Sequence, residues 1–303
     1  MSAQDDRARI EAQVQSCYST WAKTYFDEYY TGTGAYPPVH VDIVRNLLQQ
    51  SGAKTLLDAG CGPASMLRRL VDLGLEVYGF DLTAEMVNEA RRTMAAWKVP
   101  PERFWQGSVA ETADYRRPAG GYDAAICFGV FPHVPEGLDE AAIANLYAAL
   151  APGGMVAIEA RNQLFALFTL NRYSRDLFLN ELIGLESLPA AERQALAPAL
   201  AALDRQFRVD LPPVRQGKAG EPGYDEVLSR THNPLVVRGQ LEAAGFHNVR
   251  LHFYHYHALP PMLESYVPGW FRQRSLALEN PADWRGHFMA SAFIVSGVKG
   301  REA

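Results

Sequence analysis

The chain has 303 residues, 48% of them hydrophobic and 21% charged, and a formal net charge of −5. That is an ordinary globular composition with ample material for a core, and its acidic balance speaks against a nucleic-acid partner, which needs a basic face. The opening MSAQDDRARIEAQ is polar and acidic, unlike a secretory signal, and no apolar run approaches the roughly 18 residues of a membrane span. Cys17, Cys61 and Cys127 are odd in number and scattered, so they read as reduced thiols of a cytoplasmic protein.

Residues up to about Gln50 read as helical, interrupted at Thr31-Gly32-Thr33-Gly34 and at Pro37-Pro38. Within an aromatic-rich stretch, Tyr18, Ala22, Tyr25 and Tyr29 fall on one helical face. Such a face either packs on a sheet or closes as a lid over a ligand.

Thr55 to Asp81 organise the rest of the chain. The pattern predicts a buried strand (Thr55 to Leu57), a tight glycine turn, a helix (about Ala64 to Leu73) and a second strand (Glu76 to Phe80) ending in an acid. Gly60 and Gly62 bracket Cys61 where a parallel strand turns sharply and a ligand can approach the backbone. The turn opens a helix whose free N–H groups favour an anionic group, and Asp81 stands where a carboxylate can accept both hydroxyls of a ribose. Together these residues predict a nucleotide-type site. Ser65 stands near the place of the third glycine that a dinucleotide fingerprint carries.

Thr83 suits the N-cap of the next helix, along which Met86, Ala90, Met94 and Trp97 line one face. Phe104 to Val109 reads as the third strand and its loop, and Gly121 to Cys127 as the fourth strand. Phe128 to Val134 should then border the reacting group, because ligands in doubly wound sheets sit outside the carboxyl ends of strands. His133 is the first ionisable group there: a general base, or a structural hydrogen-bonding partner.

A helix from about Asp139 to Leu150 and a Pro-Gly-Gly turn lead into a fifth strand, Met155 to Glu159. Arg161 and Asn162 leave its carboxyl end. About 65 residues (Gln163 to Tyr224) intervene before the pattern resumes, expected to roof the substrate pocket or to make a dimer contact. Here Arg161, Arg172 and Arg175 either hold an anionic substrate group such as a carboxylate or diphosphate or are solvated or salt-bridged beside Asp176 and Glu181. The last helix is expected at Leu235 to Ala244 and the sixth strand at Val249 to Tyr256, running into His255 and His257 on one strand face. That pair has the roles of packing, a substrate-side base or metal ligation open to it, with no third ligand evident. A closing strand, Phe288 to Val298, would pair antiparallel beside the sixth.

The run Asp58-Ala59-Gly60-Cys61-Gly62-Pro63-Ala64, with Asp81, Gly121-Tyr122-Asp123 and Leu150-Ala151-Pro152-Gly153-Gly154, resembles the class I S-adenosylmethionine-dependent methyltransferases over roughly Lys54 to Arg161. A lid with a Trp-Ala-x-x-Tyr pattern is common in that family and is similar to Trp21-Ala22-Lys23-Thr24-Tyr25. The insertion and the C-terminal part more loosely resemble a subgroup of bacterial enzymes placed with surface-polysaccharide pathways.

The resemblance implies an α/β fold: a doubly wound, seven-stranded Rossmann-like methyltransferase sheet with N-terminal lid helices and a helical insertion after strand five. The implied divisions are a lid over 1–50, a cofactor-binding core over 51–161, a substrate cap over 162–228 and the C-terminal part of the sheet over 229–303. S-adenosyl-L-methionine is the implied cofactor and S-adenosyl-L-homocysteine the product, with no metal. Tyr25, Asp58, Gly60, Cys61, Gly62, Asp81, Leu82, Met86, Ser108, Val109 and Phe128 are the expected cofactor contacts. Many relatives carry an Asp where Ser108 stands, which leaves the exocyclic amine of the adenine a weaker acceptor. His133, His255 and His257 are the catalytic candidates, and Tyr29, Arg161, Asn162, Arg172 and Tyr173 the substrate candidates. The expected acceptor is an O or N of a small polar metabolite, most readily a sugar or sugar-bearing compound. An amino acid methylated on N or S is the alternative, and a non-catalytic cofactor-binding subunit or a nicotinamide oxidoreductase are rivals of other classes. Homodimerisation stays open.

Overall fold

The structure, a computed structural model, describes residues 3–20, 22, 25–26, 30, 37–206 and 227–300. The chain divides into two compact units, the first made of residues 1–161, 215–252 and 292–303 and the second of residues 162–214 and 253–291.

The first unit opens with α1 (Ala3–Ser19) and α2 (Val39–Ser51). The chain then alternates β1 (Thr55–Ala59), α3 (Ser65–Leu70), β2 (Glu76–Asp81), α4 (Ala84–Met94), β3 (Phe104–Gln106), β4 (Tyr122–Cys127), α5 (Asp139–Ala149) and β5 (Leu150–Arg161). After the insertion come α6 (Pro234–Ala243), β6 (Phe246–Tyr256) and β7 (Ala290–Lys299). The strands form one seven-stranded sheet in the order β3-β2-β1-β4-β5-β7-β6. Pairings among β1 to β5 are parallel, while β7 runs antiparallel to β5 and lies between it and β6.

Helices cover both faces of the sheet, so its inner strands read as continuous apolar runs. Leu56, Leu57, Ala59, Ala124, Ala125, Ile126 and Cys127 are all fully buried. The chain builds outward from β1 to β3 and then crosses to the other side of β1 to add β4. The carboxyl ends of β1 and β4 therefore open the crevice where such sheets bind ligands.

Several boundaries differ from expectation: β6 starts at Phe246 rather than Val249 and β7 at Ala290 rather than Phe288. Strand β5 starts at Leu150, because the Pro152-Gly153-Gly154 turn is accommodated as an irregularity of pairing with β4. Gly121 makes that possible: its φ is +89°, and a Cβ there would stand 2.6 Å from the Ala151 nitrogen. Helix α1 ends at Ser19 and Ala22 lies in a turn, while Tyr25 and Phe26 are helical again; Tyr29 of the expected face lies outside the described residues, as do Trp21, Lys23 and Thr24. Helix α1 is anchored by Val14 and Cys17, which pack in a cluster with Met86 and Val227, and by Gln15, whose Nε2 donates to the Leu82 carbonyl (2.9 Å).

The second unit joins the insertion to residues 253–291. Its longest described helix is Ala190–Gln206, and a further helix spans Pro268–Leu278. Asn162 ties its two segments together. Its Nδ2 lies within hydrogen-bond distance of the carbonyls of Gly286 (3.1 Å), His287 (2.9 Å) and Ala290 (2.8 Å), while its Oδ1 accepts from the Leu164 amide.

Candidate active site

The glycine turn joins β1 to α3 with left-handed backbone at Gly60 (φ +87°), Gly62 (φ +51°) and Ala64 (φ +62°). A Cβ on Gly60 would meet Val130 Cγ2 at 2.1 Å, so only glycine lets the loop after β4 approach this closely. The third left-handed position falls on Ala64, one residue before the Ser65 that the motif spacing singled out. An L-residue there is strained, a feature that clusters at functional sites.

Behind this turn the first unit encloses a cavity of about 930 Å³, part of it open to solvent. Tyr25, Asp58, Gly60, Cys61, Gly62, Asp81, Leu82, Met86, Ser108, Val109 and Phe128 all line it, and so does His133. The turn, the ends of β1, β2, β3 and β4 and the N-terminal segment bring these residues together from five separated stretches of chain.

Asp81 accepts the Gly62 amide on Oδ2 and the Thr83 amide on Oδ1, both at 2.9 Å. These bonds fix the carboxylate across the mouth of the turn. Burial still raises its pKa above the ordinary carboxylate value, against those amide bonds. Asp58, 2% exposed, is pushed up to about 8, first by burial and then by the Asp81 charge. Burial likewise drives the Cys61 thiol well above its usual range, so it is a packing group, fitted against the missing side chain of Gly79.

Two atoms of the cavity wall point to a ligand with both positive and hydrogen-bonding groups. The Asp58 carboxyl is buried with its pKa raised, and the Ser65 Oγ is buried with no hydrogen-bond partner among the described residues. Unsatisfied buried polar groups are costly, so a cation near Asp58 and a polar group near Ser65 would relieve both. The glycine turn, the acids and the apolar lining of this cavity fit S-adenosylmethionine.

His133 sits in a short turn of helix (Phe131–His133) beyond β4. Its Nδ1 lies 2.6 Å from the Leu228 carbonyl, which can only accept, so Nδ1 carries the hydrogen. The neutral ring then presents a lone pair on Nε2, which accepts the Tyr18 hydroxyl at 2.7 Å. Burial lowers the pKa of His133 to about 4, so this tautomer persists at neutral pH. Leu228 is held by its neighbours: Arg230 pairs bidentately with Asp139 (2.9 and 2.8 Å) and its amide donates to the Pro132 carbonyl.

Sequence reasoning did not assign Glu11, Val14, Tyr18, Tyr30 and Ser65 to the site, and all of them line the cavity. The signal was present for three of them, since positions 11, 14 and 18 have the spacing of one helix face.

The remaining candidates lie away from this cavity. Arg161, in the first unit, hydrogen-bonds Ser229 through its guanidinium and accepts the His232 amide on its carbonyl. In the second unit Asn162 is buried, and its amide hydrogens are engaged by the backbone, which leaves none for a ligand. Arg172 and Tyr173 stack on each other, and Tyr173 is half exposed. Arg175 is ion-paired with Asp176 and Asp204.

His255 and His257 do not share a strand face. Strand β6 ends at Tyr256 and His255 has a φ of +58°, which breaks the alternation on which that expectation rested. His257 is buried between the rings of Phe165 (4.7 Å) and Phe271 (5.8 Å), and burial lowers its pKa to about 4. Among the described residues no group of three His, Cys, Asp or Glu side chains could hold a metal ion, and no helix is long and apolar enough to cross a membrane.

Comparison with known proteins gives the same region. Residues 56–154 match the family model of a methyltransferase domain. Glycine N-methyltransferase of Rattus norvegicus is 31% identical over 135 residues, covering 41% of this chain and 45% of that protein. Ubiquinone biosynthesis O-methyltransferase of Albidiferax ferrireducens is 27% identical over 144 residues, covering 47% and 55%. The chain thus spans about half the length of the curated relatives it matches. Among solved structures, an O-methyltransferase family protein from Burkholderia thailandensis aligns over 87% of this chain and 56% of that one with 14% identity and a TM-score of 0.48. Magnesium protoporphyrin IX methyltransferase from Synechocystis PCC 6803 with bound SAH aligns over 86% and 82% with 17% identity and a TM-score of 0.45.

Proposed function

We propose that this chain, whose residues 56–154 are a class I methyltransferase domain, transfers the methyl group of S-adenosylmethionine to an O or N of a small polar metabolite. One observation carries the reading: a glycine turn with left-handed backbone, the acids Asp58 and Asp81 and a serine hydroxyl without a hydrogen-bond partner among the described residues line one cavity. Asp81 would hold the ribose, Asp58 the ammonium, and the backbone of Gly60 and Gly62 the methionyl group.

The cofactor, when bound, supplies an electrophilic methyl on sulfur. The chain's own contribution is alignment, because holding the reacting atoms about 3–3.5 Å apart in line can account for roughly 7–11 kcal/mol of the barrier. Tyr18 and His133 supply a route for the acceptor's proton. As the acceptor oxygen bonds to the methyl, its proton passes to Tyr18 Oη, and the Tyr18 proton passes to His133 Nε2. Positive charge lost at sulfur then appears on the imidazole, which the Leu228 carbonyl stabilises through Nδ1. This arrangement favours a hydroxyl acceptor, and we favour a sugar or sugar-bearing compound. The match to glycine N-methyltransferase supports amino-acid N-methylation as the second reading.

Methyl transfer from isotope-labelled S-adenosylmethionine into pools of nucleotide sugars, amino acids and phenolic metabolites tests this directly. Label in the sugar pool is the expected result, and label confined to amino acids selects the second reading. Cofactor binding without transfer to any pool would favour a non-catalytic subunit. Tyr18→Phe and His133→Gln should each lower the turnover of a hydroxyl acceptor roughly 10²-fold or more. Unchanged turnover in both would remove the proton relay.

A further inference from the structure

We propose that Glu11, on helix α1, is the acceptor for the exocyclic amine of the cofactor's purine, so that a lid residue decides nucleobase selectivity. The inference rests on the methyltransferase reading above and concerns the part of the cavity lined by helix α1, helix α4 and the loop after β3.

Among the residues that line the cavity there, Val14, Leu82, Met86 and Val109 are apolar, while Ser108 and Glu11 are polar and hydrogen-bonded to each other. Apolar side chains suit the faces of a planar heterocycle, and polar groups must recognise its edge. Ser108 is the nearest acceptor by sequence, yet its hydroxyl is already committed. Its hydrogen is donated to Glu11 Oε1 (2.9 Å), and its oxygen receives the Ala110 amide (3.3 Å) and Arg7 Nη2 (3.4 Å). A hydroxyl has one donor and two lone pairs, so none is left for a ligand amine.

Glu11 has the capacity that Ser108 lacks. Both of its protein hydrogen bonds, from Arg7 Nε (3.0 Å) and from Ser108, fall on Oε1, and among the described residues none falls on Oε2. Arg7 and Ser108 fix the carboxylate, and the Gln15 bond to the Leu82 carbonyl fixes the helix that carries it. A preorganised anionic acceptor takes an amine donor and rejects a keto oxygen at the same place, which has no hydrogen to give and is repelled by the charge.

The test is calorimetric binding of S-adenosylhomocysteine and of its inosine analogue, in which an oxo group replaces the exocyclic amine. The wild type should prefer the adenosyl ligand about ten- to hundred-fold, the range expected of a hydrogen bond to a charged group. Glu11→Gln should weaken the adenosyl ligand about ten-fold and leave the inosyl ligand unchanged or tighter, because the amide can donate to the oxo group. Arg7→Gln removes the ion pair without removing the acceptor and should keep the preference. If Glu11→Gln weakens both ligands by the same factor, or neither, the assignment is overturned. A wild type that binds neither ligand would instead overturn the methyltransferase reading.

Discussion

Ala64 holds a φ of +62° where glycine would be unstrained, and it does so at the mouth of the cavity. Ala64→Gly should raise stability by about 0.5–1 kcal/mol, because relief of left-handed strain exceeds the entropy glycine adds to the unfolded chain. Urea unfolding measures this, and a loss of stability would mean that the backbone there carries no strain. Asp81 is the opposite kind of residue, comfortable in its backbone bonds and costly in its burial. Asp81→Ala removes the acceptor of the Gly62 and Thr83 amides as well as the proposed ribose contact. Its affinity for S-adenosylhomocysteine should fall at least a hundred-fold by calorimetry, and an unchanged affinity would place the ribose elsewhere.

At the scale of elements, the stretch from Val227 to His232 has no regular secondary structure beyond an isolated bridge, yet it sets the state of His133. It is pinned by the Arg230–Asp139 pair, by the Arg230 amide on the Pro132 carbonyl and by the His232 amide on the Arg161 carbonyl. Asp139 is buried, so Arg230→Ala would leave a desolvated carboxylate and should cost about 3 kcal/mol. It should also free the Leu228 carbonyl from His133 and raise the exchange rate of the His133 ring N–H in NMR. A slow, unchanged ring proton would show that Leu228 is held by other contacts. Helix α1 is a second such element, since its contribution to the cavity depends on the face that carries Glu11, Val14 and Tyr18.

For the whole molecule, buried titrating groups fix the pH at which the fold is most stable. His40, His133 and His257 have folded pKa values lowered by burial from 6.5 to about 4. The unfolded chain therefore binds more protons between those values, and stability rises with pH across that window. Asp58 has the reverse sign: its folded pKa is about 8 against 3.8 for the free group, so its contribution falls as pH rises from about 4 to 8. These histidines, joined by His252, outweigh Asp58 below pH 6.5, and above it the carboxyls whose pKa burial raises, Asp58 with Asp81 and Glu279, act in the opposite direction. The ligand-free protein should be most stable near pH 6.5 in chemical denaturation, and Asp58→Asn should reduce the decline toward pH 8. A decline that persists unchanged in Asp58→Asn would assign it to another group.

Much of the first unit was legible in the sequence. Local rules place the parallel strands β1 to β5, because parallel strands buried on both faces must be apolar runs and their turns must carry glycine at positive φ. The same rules gather the cofactor candidates, since the ends of β1, β2 and β4 in a doubly wound sheet have to meet at the switch point. Tertiary structure alone decided the rest. Asn162 looked like a crevice residue, and only the return of residues 286–290 reveals its amide as a backbone clamp. His255 and His257 looked like a pair on one strand face until a left-handed φ at His255 turned the chain. The tautomer of His133 depends on a carbonyl 95 residues away, and the commitment of the Ser108 hydroxyl on a carboxylate 97 residues before it. Periodicity and motif spacing report what neighbours along the chain require of one another, whereas hydrogen-bond capacity is shared among groups that only the fold brings together.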